Sequence, residues 1–152
     1  MKKSHQIVSA LTMSFALALS SCDKGEEAAT PASESAEASV EVIDVEAAQA
    51  AELVSKGEVA VLDVRTPEEY ALAHIDGAVL VNIRGEGFEE GVAELDQSKP
   101  YLVHCAAGVD GGRSRKAVDA LKKAGATKVY HLNGGLSAWM QEDHPTQKAE
   151  AE

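Results

Sequence analysis

The sequence has little cysteine, little positive charge and no long apolar run, and each shortage excludes something. Its 152 residues hold two cysteines, Cys22 and Cys105. Two thiols so far apart fit neither a disulfide scaffold nor a zinc knuckle, which needs clustered ligands. Four Arg and ten Lys are outnumbered by 25 Asp and Glu, so the net charge is −11. With no basic patch to neutralise phosphates, a nucleic-acid partner is not expected. No local cluster of His, Cys and carboxylates is visible, so no metal is expected; no cofactor is expected either. No internal repeat appears. The length suits one ordinary domain and not two.

What is present begins with a leader pattern. Lys2 and Lys3 precede a mostly apolar run of 13 residues, Ile7 to Leu19. A bilayer-spanning helix needs roughly 20 residues, so the run suits a signal-peptide core better than an anchor. It lacks the polar face and cap of a buried N-terminal helix. It closes on Leu19-Ser20-Ser21-Cys22, which resembles the lipobox of bacterial lipoproteins. The resemblance implies removal of residues 1–21, acylation of the Cys22 thiol, and a lipid anchor at the periplasmic or extracytoplasmic face of a bacterial envelope. Ordinary secretion is the alternative. Residues 22–39 then read as the lipidated cysteine and an acidic tether, because Asp23 to Ser39 has no aromatic or branched aliphatic side chain to bury. An Ala/Glu-rich helix is the other reading of that stretch.

From Val40 the texture changes to short apolar runs alternating with amphipathic ones. Strands are expected at Val40–Val42, Val59–Val64, Ala78–Val81, Pro100–His104 and Lys128–Leu132. Helices are expected over Glu46–Lys56, from Thr66, over Arg113–Ala124 and from Leu136 to Met140. Gly85–Gly91 reads as a loop or weak helix. Thr66-Pro67-Glu68-Glu69 combines an N-cap, a Pro at the first helical position and a reaching Glu. Strands alternating with helices at this spacing predict an α/β domain of three layers over residues 40–143, with a frayed tail over 144–152.

Cys105 falls where catalysis is expected in such a domain, just outside the carboxyl end of a strand. After it come Ala106, Ala107, Gly108, Val109, Asp110, Gly111, Gly112, Arg113 and Ser114, which lead into a helix. A glycine-rich turn at a helix N-terminus can aim N–H groups at the sulfur, lower its pKa and cradle an anionic substrate. Arg113 would add planar donors and positive charge. The plainer reading is a buried structural cysteine beside an ordinary loop. Asp63, ending a buried strand, suits a carboxylate that fixes loop N–H groups, with Arg65 as its partner. Fold support alone is the alternative there. His104 alternates to the opposite side of its strand from Cys105, which argues against a Cys/His dyad. His74 is read as a bridge to loop backbone, and Trp139 as core more than substrate platform.

Three motifs carry a family resemblance. Asp63-Val64-Arg65-Thr66-Pro67-Glu68-Glu69-Tyr70 with His74-Ile75-Asp76-Gly77-Ala78 resembles the opening signature of rhodanese-like domains. His104-Cys105-Ala106-Ala107-Gly108 with Gly112-Arg113-Ser114 resembles their active-site loop. Leu132-Asn133-Gly134-Gly135-Leu136 with Ala138 and Trp139 resembles their closing signature. The resemblance implies a five-stranded parallel sheet of order 1-5-4-2-3 with helices on both faces. It also implies a sulfurtransferase or sulfane-sulfur carrier acting through a Cys105 persulfide. The partners would be a small anionic donor such as thiosulfate and a thiol or cyanide acceptor, a protein thiol among them. Lipidation of Cys22 would leave Cys105 as the sole thiol.

One departure stands out. Arg113 lies eight residues after Cys105, where the family loop places its Arg five after, as if Val109-Asp110-Gly111 were inserted. A longer loop need not focus its N–H groups on one sulfur, and Asp110 brings a charge that opposes thiolate formation. Two other functions therefore stay open: a non-catalytic rhodanese-like binding module, and a cysteine-dependent phosphatase or arsenate reductase.

Overall fold

The computed structural model describes residues 40–149, so the leader, Cys22 and the tether expected over 1–39 lie outside the described residues. Five strands and five helices alternate: β1 (Glu41–Val45), α1 (Ala47–Ser55), β2 (Ala60–Asp63), α2 (Pro67–Leu72), β3 (Val79–Leu80), α3 (Phe88–Ala93), β4 (Tyr101–His104), α4 (Arg113–Ala124), β5 (Lys128–Leu132) and α5 (Gly135–Gln141). The strands form one sheet in the order β1-β5-β4-β2-β3, and every pairing is parallel. This is the topology that the family resemblance implies.

Strand alternation sorts the core into two layers. Leu62, Val64, Tyr101, Val103, Cys105 and Val129 face α3 and α4, where Val92, Ala117, Val118 and Leu121 cover them. Val45, Val61, Leu102 and Leu132 face the other way, against α1, α2 and α5, and Trp139 is buried in that layer. The central strand β4 is buried at all four positions, as expected where helices cover both faces of a parallel sheet.

Local chemistry explains the ends of the helices. Thr66 Oγ1 accepts the Glu69 N–H at 3.3 Å and Glu69 Oε2 accepts the Thr66 N–H at 3.1 Å, a reciprocal cap with Pro67 in the first turn. Helix α4 stops at Gly125, whose φ of 91° lets its N–H turn back onto the helix carbonyls.

Three stretches differ from the sequence reading. β1 runs to Val45 instead of Val42, because β5 pairs with it along its whole length, Asp44 opposite His131 included. The glycine-punctuated stretch resolves into a helix, α3, that starts only at Phe88, where an apolar side chain first reaches the core. The tail is not frayed from His144: Gln147 and His74 exchange backbone hydrogen bonds at 2.7 and 2.9 Å, and the Ala149 N–H donates to Ala71 O at 3.2 Å. Pro145 O accepts the Trp139 indole N–H at 2.9 Å, so the segment satisfies a buried donor.

Candidate active site

β2 leads into α2 on one face of the sheet and β4 leads into α4 on the other. Neighbouring strands whose connections part in this way leave a crevice at their carboxyl ends. Cys105 sits there, at the end of β4, 4% exposed and with a free thiol. The Gly108 N–H donates to its sulfur at 3.3 Å, and Ser114 Oγ lies 3.4 Å away. Burial alone would push the thiol pKa up. The Ser114 hydroxyl and the amides of Gly108, Ser114 and Ala107 outweigh it and hold the thiol below its ordinary value.

The far face supplies the brace. Leu136 N–H donates to Cys105 O and Ser137 N–H to Ala106 O, both at 2.9 Å, so the start of α5 clamps the loop carbonyls. Such close approach needs Gly135: a Cβ there would meet Cys105 O at 2.5 Å and Gly108 N at 2.8 Å. A groove bordered by Arg65, Glu69, Leu72, Ala106, Ser137 and Met140 runs up to the loop.

The extra residues of the loop do not join this cradle. Gly112 N–H donates to Val109 O at 3.0 Å, closing a four-residue turn with Gly111 at φ 71°, the position where a type II turn requires positive φ. Val109 is 58% exposed, and the exposed Asp110 carboxylate is held by Arg115 at 3.3 Å. The sequence reading places Val109, Asp110 and Gly111 in the substrate cradle; in the structure they are exposed and form a turn of their own. The sulfur is bonded from Ala107, Gly108 and Ser114, on either side of it.

Two further placements change. Ser114, expected to bind substrate, is fully buried behind the sulfur, where its hydroxyl also lies 2.9 Å from His131 Nε2. It can act on the thiol but not on a ligand in the crevice. Arg113 does not present a free guanidinium. Its two terminal nitrogens grip Glu69 at 2.6 and 2.8 Å, and this pairing holds the Glu69 carboxyl down to about 2. Ala106 lines the groove, Ala107 is exposed and Gly112 is part-buried.

Asp63 and Arg65 form a buried bidentate pair. Asp63 accepts the Arg65 N–H at 3.0 Å and its Nη2 at 2.5 Å, while Arg65 also donates to Glu69 O at 3.1 Å and Ala73 O at 2.6 Å. His104 lies on that same face, its Nε2 3.7 Å from Asp63, and its Nδ1–H donates to Cys105 O at 3.3 Å. Burial keeps it below the usual imidazolium range against the pull of Asp63. His74 bonds Tyr70 O through Nδ1 at 3.0 Å and stacks on the Tyr70 ring.

Sequence reasoning missed three residues of the site: Glu69, Asp44 and His131. The one signal was a polar side chain at an inward position of an apolar strand, His131 two residues beyond Val129. Only the strand order shows that Asp44 stands opposite it. Among the described residues, no group of three or more His, Cys, Asp or Glu side chains could hold a metal ion.

The fold and site together define an α/β protein with an open parallel sheet and a hydrogen-bonded cysteine over a glycine-rich βα loop. The family model described as "Rhodanese-like domain" matches residues 46–142, and the chain belongs to that family. Thiosulfate sulfurtransferase 18 of Arabidopsis thaliana is 34% identical over 124 residues, 74% of this chain and 88% of the relative. A Mycobacterium tuberculosis protein named "Probable adenylyltransferase/sulfurtransferase MoeZ" is 40% identical over 93 residues, but the match spans 61% of this chain and only 23% of that longer protein. The crystal structure of a rhodanese-related protein from Thermoplasma volcanium superposes with a TM-score of 0.61 at 30% identity, covering 70% of this chain and 99% of that one.

Proposed function

We propose that the protein is a thiosulfate-type sulfurtransferase or sulfane-sulfur carrier working through a persulfide on Cys105. One observation carries this reading: several N–H groups and a hydroxyl converge on a buried sulfur at the N-terminus of α4, and together they lower its pKa. The Cys105 thiolate would attack the outer sulfur of thiosulfate. A new S–S bond forms, the old one breaks, and sulfite leaves with the electron pair. The persulfide anion would be stabilised by the same donors, which suit spread negative charge on sulfur. Attack on the outer sulfur by a thiolate or cyanide then returns the thiolate. Acceptors would approach along the groove beside Leu72 and Met140.

We also infer a lipid anchor at Cys22 and an extracytoplasmic position in a bacterial envelope, which the Lys2–Cys22 pattern supports. Incorporation of labelled palmitate at Cys22 tests it. The sulfur chemistry is tested by intact-protein mass spectrometry after incubation with thiosulfate. Cys105 should gain the mass of one sulfur atom and Cys105→Ser should gain nothing. A wild-type protein that gains no sulfur would leave a non-catalytic binding role in its place.

A further inference from the structure

Behind the sulfur, away from the crevice, a chain of polar groups leads from Cys105 towards the surface. Ser114 Oγ lies 3.4 Å from Cys105 Sγ and 2.9 Å from His131 Nε2, and His131 Nδ1 lies 3.0 Å from Asp44 Oδ1. Ser114 and His131 are fully buried, and the Asp44 side chain is 46% exposed. Arg115 grips the same Asp44 oxygen at 2.7 Å. We propose that His131, oriented by Asp44, is a positioning residue that takes up the Cys105 thiol proton through the Ser114 hydroxyl. The inference rests on Cys105 being the reacting thiol.

The direction of each bond follows from what each atom can do. Arg115, bonded to Asp44, keeps that carboxyl below its ordinary range, so Asp44 only accepts. His131 Nδ1 must then carry the proton it donates. Burial first, and then the charge of Arg115, hold His131 below the usual imidazolium range against the opposing pull of Asp44, so the resting ring is neutral. A neutral ring protonated at Nδ1 leaves Nε2 as an acceptor, which the Ser114 hydroxyl fills. The lone pairs of Ser114 Oγ then face the thiol, whose S–H donates to them.

Ionisation reverses the chain without moving a heavy atom. The S–H bond breaks as an O–H bond forms on Ser114. The original Ser114 O–H bond breaks as an N–H bond forms at Nε2. The products are a thiolate that accepts the Ser114 hydroxyl and an imidazolium that Asp44 stabilises. The groups facing His131 are Asp44 from β1, Ser114 and Arg115 from α4, Asn133 from the end of β5 and, through Ser114, Cys105. Arg115 opposes the imidazolium, while Asp44 and the new thiolate favour it, so Cys105 and His131 titrate as a coupled pair.

That coupling is the test. The ring nitrogens of His131 are followed by NMR against pH in the wild-type protein and in Cys105→Ala. The His131 midpoint should fall when the sulfur is removed, because the imidazolium loses its anion; an unchanged midpoint overturns the proposal. In parallel, iodoacetamide alkylation of Cys105 is measured against pH in His131→Gln, which can still bond Ser114 but cannot take the proton. At pH 7 the rate should fall at least about tenfold and its inflection should move to higher pH. A folded His131→Gln with the wild-type profile overturns the relay. Should that variant fail to fold, the NMR comparison decides. Sulfur uptake from thiosulfate is scored separately: linked titration with no persulfide rejects the sulfurtransferase reading alone, and a persulfide with unlinked titration rejects the relay alone.

Discussion

Each face of the sheet holds an aspartate, a histidine and an arginine, and the two sets are arranged differently. On the α1, α2 and α5 face, Asp63 closes on Arg65, Arg65 spends its remaining donors on the carbonyls of Glu69 and Ala73, and His104 bonds a carbonyl instead of the aspartate. That cluster is shut within the backbone it holds. On the α4 face, Arg115 grips Asp44, Asp44 holds His131, and the chain runs on through Ser114 to a sulfur. The same residue types anchor loops in one place and point at a thiol in the other. What separates them is whether the last hydrogen bond ends on a carbonyl or on a thiol.

The largest effect should come from opening the closed cluster. Asp63→Asn leaves the buried Arg65 charge without its carboxylate, which costs about 3–5 kcal/mol. Urea denaturation measures it, and the alkylation profile of Cys105 in the folded fraction should stay as in the wild type. A loss below about 1 kcal/mol, or a profile displaced as far as in His131→Gln, would erase the division of labour between the faces. Gly135→Ala attacks the close approach between the start of α5 and the sulfur loop. Its φ of 56° and the contact with Cys105 O predict a loss of about 1–3 kcal/mol. The displaced loop should also slow persulfide formation about tenfold, an outcome absent if α5 merely packs.

Most of the fold was legible because its signals are local. The apolar runs around β2 and β4, the cap at Thr66 and the stop at Gly125 each read out within a few residues. The order of the strands came from the family resemblance, and the structure has the same order. Cys105 was legible for a similar reason, since a cysteine between a buried strand and a glycine-rich turn is a short pattern. His131 and Asp44 were not, because 87 residues separate them and only β1 lying beside β5 brings them together. The outward turn at Val109–Gly112 was hidden too: loop length is visible in a sequence, but the direction of the bulge depends on where Arg115 catches Asp110. The frayed-tail reading failed because polarity hid the backbone bonds that Gln147 and Ala149 make.

Glu69 stands at the border between the two kinds of cluster, and its effect should be the smallest. It closes the cap of α2 and also grips Arg113, the first residue of α4. Its folded-state pKa is depressed to about 2 from an ordinary 4.5, chiefly by the Arg113 bond. A depressed carboxylate stabilises the fold above the unfolded value and loses that contribution as pH falls through the folded one. The urea midpoint of the wild type should therefore exceed that of Glu69→Gln at pH 6, with the gap closing between about 4.5 and about 2. The pair is part-exposed, so the gap at pH 6 should be about 1 kcal/mol. The same substitution releases the Arg113 charge beside the crevice, and Cys105 alkylation at pH 7 should speed up, because an uncompensated cation favours the thiolate. A slower reaction would instead place Glu69 with the anchoring cluster, as a group whose value to the sulfur lies only in holding Arg113 still.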